Sequence, residues 1–534
     1  MNLKHLRRMS IPSIIFLLAQ VPSTARAQQT AIDPVITRIQ RIAEDSSRLE
    51  VLGRALLDSI GPRMVGTPNL ERGNDWLVRQ YRSWGIESRN EQTGTWRGWR
   101  RGYSHVDLVS PRVRSLDGTM LGFSPGTGKR DVTSSTVILP KFADSTEFVR
   151  WLPQAKGKLV LVSPPRPTCR PTQNWVENAT EESRQSLAKR LDSLNGEWTS
   201  RNVRGTGYNL ALGTGDLGTR MEKAGIAGII TSRPKDGWGA RDVFETYNTI
   251  APAITLSCED YGLVFRLTES GSNPRITLNL DAELLGERPV FNTVAMIRGT
   301  EKPDEYVVLS SHFDTWDGAS GATDNGTGTL MMMEAMRILK QVYPRPKRTI
   351  ISGHWVAEEV GTRGSRAFAE DHPEIVKGMQ VLFNQDNGTG RIVGIGGAGL
   401  PNAAEHLTRW LAQLPPPFRE QIEYRGPGRP AGRGSDDASF ACHGLPAFNL
   451  GALNWNYGSY TWHTNIDTYD KIVFDDLRGN AAIAAMLAYL ASEDPEFVTR
   501  ERVEASSSQQ PAGAPARAWP ECEKAVRSTV PRLR

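Results

Sequence analysis

Cysteine is scarce and scattered in this chain. Cys169, Cys258, Cys442 and Cys522 are the full set, and no two form a C-x-x-C pair. That spacing argues against a thiolate zinc site and a redox pair, and leaves open which cysteines join as disulfides. Long apolar runs are lacking too: residues 11–21, IPSIIFLLAQV, are too few to cross a bilayer as a helix. An excess of one charge is also missing. The formal net charge is +5, but Lys4, Arg7, Arg8 and Arg26 fall in the first 27 residues with no acid beside them. Without those four the remainder carries +1, which gives no electrostatic footprint for nucleic acid. The basic-aromatic stretch TWRGWRRGY (95–103) reads as a strand with snorkelling arginines. No internal repeat is visible.

The features present are more specific. A positive start, the short apolar run and Ala25-Arg26-Ala27 make residues 1–27 a secretory signal peptide. The general secretory route is preferred to twin-arginine export. The product is expected to be exported, periplasmic or secreted, without a permanent membrane anchor. A length of 534 residues exceeds one core, and 39% apolar with 23% charged residues suits a globular chain.

The pattern divides accordingly. Residues 28–119 read as the first part of the main domain, with a helix over 34–60, another ending near Gly85, and strands around 86–113. Residues 120–285, with short apolar runs and the polar helical stretch TEESRQSLAKRLDSLNGEW, read as an inserted domain. Residues 286–503 complete the main domain, and 504–534 read as a flexible C-terminal tail beginning with the low-complexity run EASSSQQPAGAPARA. In 286–503, EYVVLSSH, a helix over about 326–341, RTIISGHWVAEE, the helix SRAFAED and MQVLFNQD alternate. Near-continuous apolar strands alternating with helices predict an α/β fold, a mostly parallel sheet covered by helices on both faces.

The polar residues at the carboxyl ends of those strands carry the chemistry. His312 and Asp314 end the first, Glu358 and Glu359 the second, Asp386 the third. Asp324 lies in the glycine-rich loop after the first strand, and His463 in a later loop, YTWHTNIDTYDKI. Ligands of open α/β sheets bind outside the carboxyl ends of the strands. Two histidines and several carboxylates suit zinc, and are too many for one tetrahedral ion. Two ions about 3.5–4 Å apart would use them, with Asp324 as the bridge. Taken alone, each residue has a plainer reading, and Asp324-Asn325 is also a ready N-cap. The argument rests on their convergence.

The runs SSHFDTWDGASGATDNGTGTLMMMEAMRIL, VAEEVGTRGSRAF, NQDNGTG, GSDDASFACHGLPAF and HTNIDTYDKI closely resemble the co-catalytic dizinc exopeptidases of peptidase family M28. That family includes zinc aminopeptidases and glutamate carboxypeptidases. IGPRMVGTPNLERGNDWL resembles its opening segment, while AGIAGIITS and APAITLSCEDYGLVFRL resemble its protease-associated insert. The resemblance implies a zinc-exopeptidase fold holding two Zn2+ per chain. His312 and His463 would each hold one ion, Asp324 would bridge, and Glu359 and Asp386 would complete the two spheres. Glu358 would be the general base, Asp314 would orient the His312 imidazole, and the Asp324–Asn325 peptide would be cis.

The substrate is then a peptide or dipeptide. The stretch GLPAFNLGALNWNYGSYTWH lacks Arg and Lys, which departs from the arginine-bearing stretch of glutamate carboxypeptidase II and favours an amine-reading aminopeptidase or dipeptidase. Asp436 and Asp437 are candidates to meet the amine, Tyr457 and Tyr460 to stabilise an oxyanion. A carboxypeptidase is the alternative, as is a non-catalytic binding protein like the transferrin receptors. The insert would serve as a lid or a homodimer contact. His354 is expected to be a buried, hydrogen-bonded neighbour and His443 structural, and His105, His372 and His406 have no supporting pattern.

Overall fold

In the computed structural model, residues 33–199, 201, 216–396, 398–432, 434–502 and 519–529 are described. The expected signal peptide and the low-complexity run lie outside them. Four neighbouring strands run parallel: Ala447–Ala452, Met379–Asn384, Lys302–His312 and Arg348–Trp355. Lys302–His312 is central to the site because its neighbours on both sides end in acids. The antiparallel strand Arg275–Ile297 follows, paired along much of its length with Glu87–Ser110. This ribbon continues into a second parallel group, Val132–Ile138, Leu159–Leu161, Gly228–Thr231 and Ala253–Leu256. The second group has its own apolar core, around Phe148, Trp151, Val160, Met221 and Ile229.

Helix Thr327–Val342 is buried nearly all round, between the sheet and helix Phe474–Glu493. Burying Leu330, Met331, Met332 and Met333 contributes roughly 1.5–3 kcal/mol each. That margin accommodates the buried Glu334–Arg337 ion pair on the same helix. The pair also explains a departure from the expected helix over 34–60. Helix Pro34–Asp45 stops and Leu49–Gly53 starts afresh, because Arg337 donates to the Ser46 carbonyl and the Arg48 amide donates to Glu334.

The strand expected to run through Glu359 ends at Trp355. Side chains replace its ladder: the Val356 amide donates to Asn292, and the Glu358 and Glu359 amides donate to Asp314. Ala357, at φ 59°, turns the chain there. The C-terminal segment also departs from its expectation as a loose tail, because residues 519–529 are tied down. Cys522 is bonded to Cys442, and the Thr95 amide donates to the Arg527 carbonyl at 2.8 Å. The other disulfide joins Cys169 to Cys258. Among the described residues no helix is long and apolar enough to cross a membrane.

Candidate metal centre

Three adjacent strand ends and two loops bring the expected residues together. Asp324 presents one carboxylate oxygen to each imidazole, Oδ1 at 3.3 Å from His312 Nε2 and Oδ2 at 3.2 Å from His463 Nε2. Asp386 Oδ1 lies 3.2 Å from His312 Nε2, and Glu359 Oε2 lies 2.8 Å from His463 Nε2. Donor atoms of His312, Glu358 and Asp386 lie within 4.8 Å of one another, as do those of His312, Asp324 and Glu359.

The Asp324 loop is held from several sides. Asp467 accepts from the Thr323 amide at 2.9 Å, the Thr323 hydroxyl at 2.9 Å and the Asp324 amide at 3.0 Å. Arg63, fully buried, donates to the carbonyls of Gly61, Phe313, Ser320 and Gly321. Asn325 follows a cis peptide bond. Its side-chain Oδ1 accepts from the Gly328 amide and its side-chain Nδ2 donates to the Gln385 backbone carbonyl beside Asp386. The cap-like bond at the helix start thus falls to Asn325, which leaves the Asp324 carboxylate facing the imidazoles.

Asp314 acts by a different route from the expected one. His312 Nδ1 donates to its backbone carbonyl at 3.0 Å, while its carboxylate stands 3.9 Å away. That bond fixes the ring so that Nε2 faces the carboxylates. The Asp314 carboxylate instead fixes the turn carrying Glu358 and Glu359.

His463 is placed by the 120–285 region. At φ 59° it occupies the left-handed region, a cost of roughly 1–3 kcal/mol. The Val243 amide donates to its carbonyl at 2.8 Å. Its ring stacks on Trp462, centroids 3.7 Å apart, and meets the Phe244 ring edge-on at 5.2 Å.

The electrostatics follow from burial and crowding. Burial raises Glu358 well above the ordinary carboxylate range; His312 opposes this, and Asp386 and Asp436 add to it. Burial also raises Glu359 to about 7, against the pull of His463. Asp324 is the exception: burial works against its charge, but hydrogen bonds from both histidines hold it low. Burial would depress His463, yet Glu359 and Asp324 raise it to about 10. Two carboxylates about 4 Å apart repel by roughly 4 kcal/mol at an effective dielectric of 20, so the cluster favours added positive charge. Glu359 Oε1 is buried without a hydrogen-bond partner. Imidazole nitrogens and carboxylate oxygens are the donors zinc takes, and these residues fit it.

A cavity of about 510 Å3 opens onto Asp324, Glu358, Glu359, Asp386 and His463. Other sequence candidates do not line it. Asp436 and Asp437 are buried and outside the cavity lining, where burial raises them to about 8 and about 7. Tyr457 and Tyr460 line a separate cavity of about 200 Å3. His354 is buried against the Tyr81 hydroxyl at 2.7 Å, and burial lowers it to about 3. His406 pairs with Asp494, and His372 lies between Glu91 and Glu374.

Asp467 and Arg63 were not singled out from the sequence, although they sit inside HTNIDTYDKI and IGPRMVG. Val243 and Phe244 carried no local signal. Arg363 and Arg366 reach the cavity from the first turn of helix Arg363–Asp371, which supplies the basic groups that the stretch before His463 lacks.

Residues 292–488 match the model of peptidase family M28. The chain is 25% identical over 473 residues to Carboxypeptidase Q of Bos taurus, across 86% of this chain and 90% of that protein. To Carboxypeptidase Q of Homo sapiens it is 24% identical over 450 residues, across 83% and 85%. Among solved structures, a peptidase M28 precursor from Shewanella amazonensis shares the fold at TM-score 0.62 and 23% identity, over 87% of this chain and 97% of that one. A zinc aminopeptidase from Bacillus subtilis does so at 0.55 and 18%, over 85% and 96%. Both histidines and all the clustered acids lie inside the matched span, so residues 292–488 are similar to the peptidase family M28 domain where the candidate metal centre is built.

Proposed function

We propose that this chain is an exported exopeptidase that uses two zinc ions to cut the N-terminal peptide bond of peptides or the bond of dipeptides. The observation that carries the reading is Asp324, whose two oxygens face two different imidazoles at 3.3 and 3.2 Å. His312 and Asp386 would hold one ion, His463 and Glu359 the other, with Asp324 shared. When bound, such a pair acidifies a water and polarises a carbonyl. Glu358, kept in reach of a proton by its raised affinity for one, would take a proton from the attacking water and return it to the leaving amine. Asp314 and Asp467 are positioning residues. Residues 1–27 would direct export. Residues 120–285 would form a protease-associated insert that steadies His463 and offers a surface for homodimer contact.

A carboxypeptidase is the second reading. Arg363 and Arg366 in the cavity lining are groups that clasp a carboxylate, and the relatives carry the name Carboxypeptidase Q. The test pairs metal content with hydrolysis of amine-free and amine-blocked dipeptides. About two zinc ions per chain and cleavage of the free-amine substrate alone is the expected result. Cleavage of the blocked peptide selects the carboxypeptidase. No tight metal and no turnover after zinc is restored selects a binding protein.

A further inference from the structure

The C-terminal segment 519–529 lies outside the span matched to the family, yet Glu523 and Val526 line the same cavity as Asp324, Glu358, Glu359, Asp386 and His463. It is fastened on both sides of those two residues. Upstream, Cys522 is bonded to Cys442, and Trp519 Nε1 donates to the Ala441 carbonyl at 2.9 Å. Between them, the Ala525 amide donates to Glu370 at 2.8 Å, and downstream the Arg527 guanidinium donates to Asp371 at 2.9 and 2.8 Å and to Glu370 at 3.0 Å. The Arg527 carbonyl meets the strand Glu87–Ser110 so closely that a side chain at Gly94 would collide with it. Thr529, buried, donates to Glu287. A segment without helix or strand is therefore held along the lining of the cavity by a covalent bond and a series of ion pairs and hydrogen bonds.

Its two cavity residues have distinct chemistry. Glu523 Oε2 lies 2.8 Å from Arg366 Nη1, so it engages one of the cavity's basic groups. Val526 is 44% exposed and presents an apolar face to the cleft. We propose that residues 519–529 form a fixed wall of the substrate cleft and that Glu523 and Val526 are its specificity determinants. Glu523 occupies Arg366 and so disfavours a substrate carboxylate at that end of the cleft. Val526 limits the size of the group accepted beside it. The inference rests on reading the metal centre as a peptidase site.

The test measures kcat/KM for the purified mature protein on peptides that differ only in one residue of the cleaved bond, acidic against neutral and small against bulky. Glu523→Gln is expected to raise the acidic-to-neutral ratio about tenfold, and Val526→Ala the bulky-to-small ratio by a similar factor. Both replaced side chains are partly exposed, so folding should survive. A double Cys442→Ser, Cys522→Ser variant, checked by circular dichroism, should move both ratios together. Ratios within twofold of wild type in both single variants overturn the wall while leaving the peptidase reading intact. A wild-type protein that binds zinc but cleaves no peptide overturns the peptidase reading, and the wall with it.

Discussion

The molecule holds two sets of parallel strands that end in very different company. Around Lys302–His312, the strand-end amides are satisfied by carboxylates: Asp314 accepts from Glu358 and Glu359, and Asp467 from Thr323 and Asp324. Around Leu159–Leu161 and Gly228–Thr231, hydroxyls do the same work. The Ser163 amide donates to Tyr261, whose hydroxyl donates back to the Ser163 carbonyl, and the Ser232 amide donates to Ser163 Oγ. Neutral acceptors close off a strand end and add no charge. Charged ones also set a field and fix the direction of neighbouring acids. Strand geometry is common to both sets, so the site comes from its loops.

The most damaging change at the catalytic end should be Glu358→Gln, which lowers kcat by about 10²–10⁴-fold while metal content stays at the wild-type level. Loss of metal together with activity would instead make Glu358 a ligand. At the other end, replacing Cys169 and Cys258 with serine should lower stability by about 2–4 kcal/mol in denaturant melts, with kcat/KM unchanged for the folded fraction. The sharpest comparison pairs Asp467→Asn with Ser163→Ala. The former should weaken zinc retention about 10–100-fold in chelator competition. The latter should cost about 1 kcal/mol of stability and leave metal affinity alone. Equal effects on metal binding would erase the distinction between the two strand ends.

The smallest expected effect tests an ion pair far from the chemistry. The hydrogen bond that His372 donates to Glu91 raises His372 above its ordinary value. Burial would raise Glu91, but the bond from His372 holds it lower. Stabilisation from His372 is complete below about pH 6.5 and is lost as pH rises through its folded value. That from Glu91 is present above about pH 4.3 and is lost as pH falls through its depressed value. The Tm gap between wild type and His372→Gln should therefore be widest between those limits. A gap that instead widens above pH 8 would refute the pairing.

Much of the main sheet was legible, because apolar strands and intervening helices are written in local periodicity. The stretch 379–386 illustrates both success and shortfall: the strand forms over Met379–Asn384, and Asp386, expected to end it, falls just beyond it. The helix over 34–60 was misread because its interruption depends on Glu334 and Arg337, which are 286 and 291 residues away from the groups they engage. Asp436 and Asp437 were candidates to meet an amine, and their burial is a property that local sequence does not show. Tyr457 was placed by nearness to His463 along the chain, although its side chain lines a different cavity.

By itself the sequence determined the order of the strands and helices around the site, since hydrophobic alternation and loop composition are local properties. It also supplied the set of imidazoles and carboxylates from which a site could be built. Tertiary structure alone decided that Asp324 would face two histidines at once, and that Asp314 would steer His312 through its backbone. It likewise decided that Phe244 would brace His463, and that residues 519–529 would wall the cleft. Those outcomes depend on segments far apart in the chain meeting at one sheet edge. Such contacts are fixed by global packing and leave no periodic trace in the residues that make them.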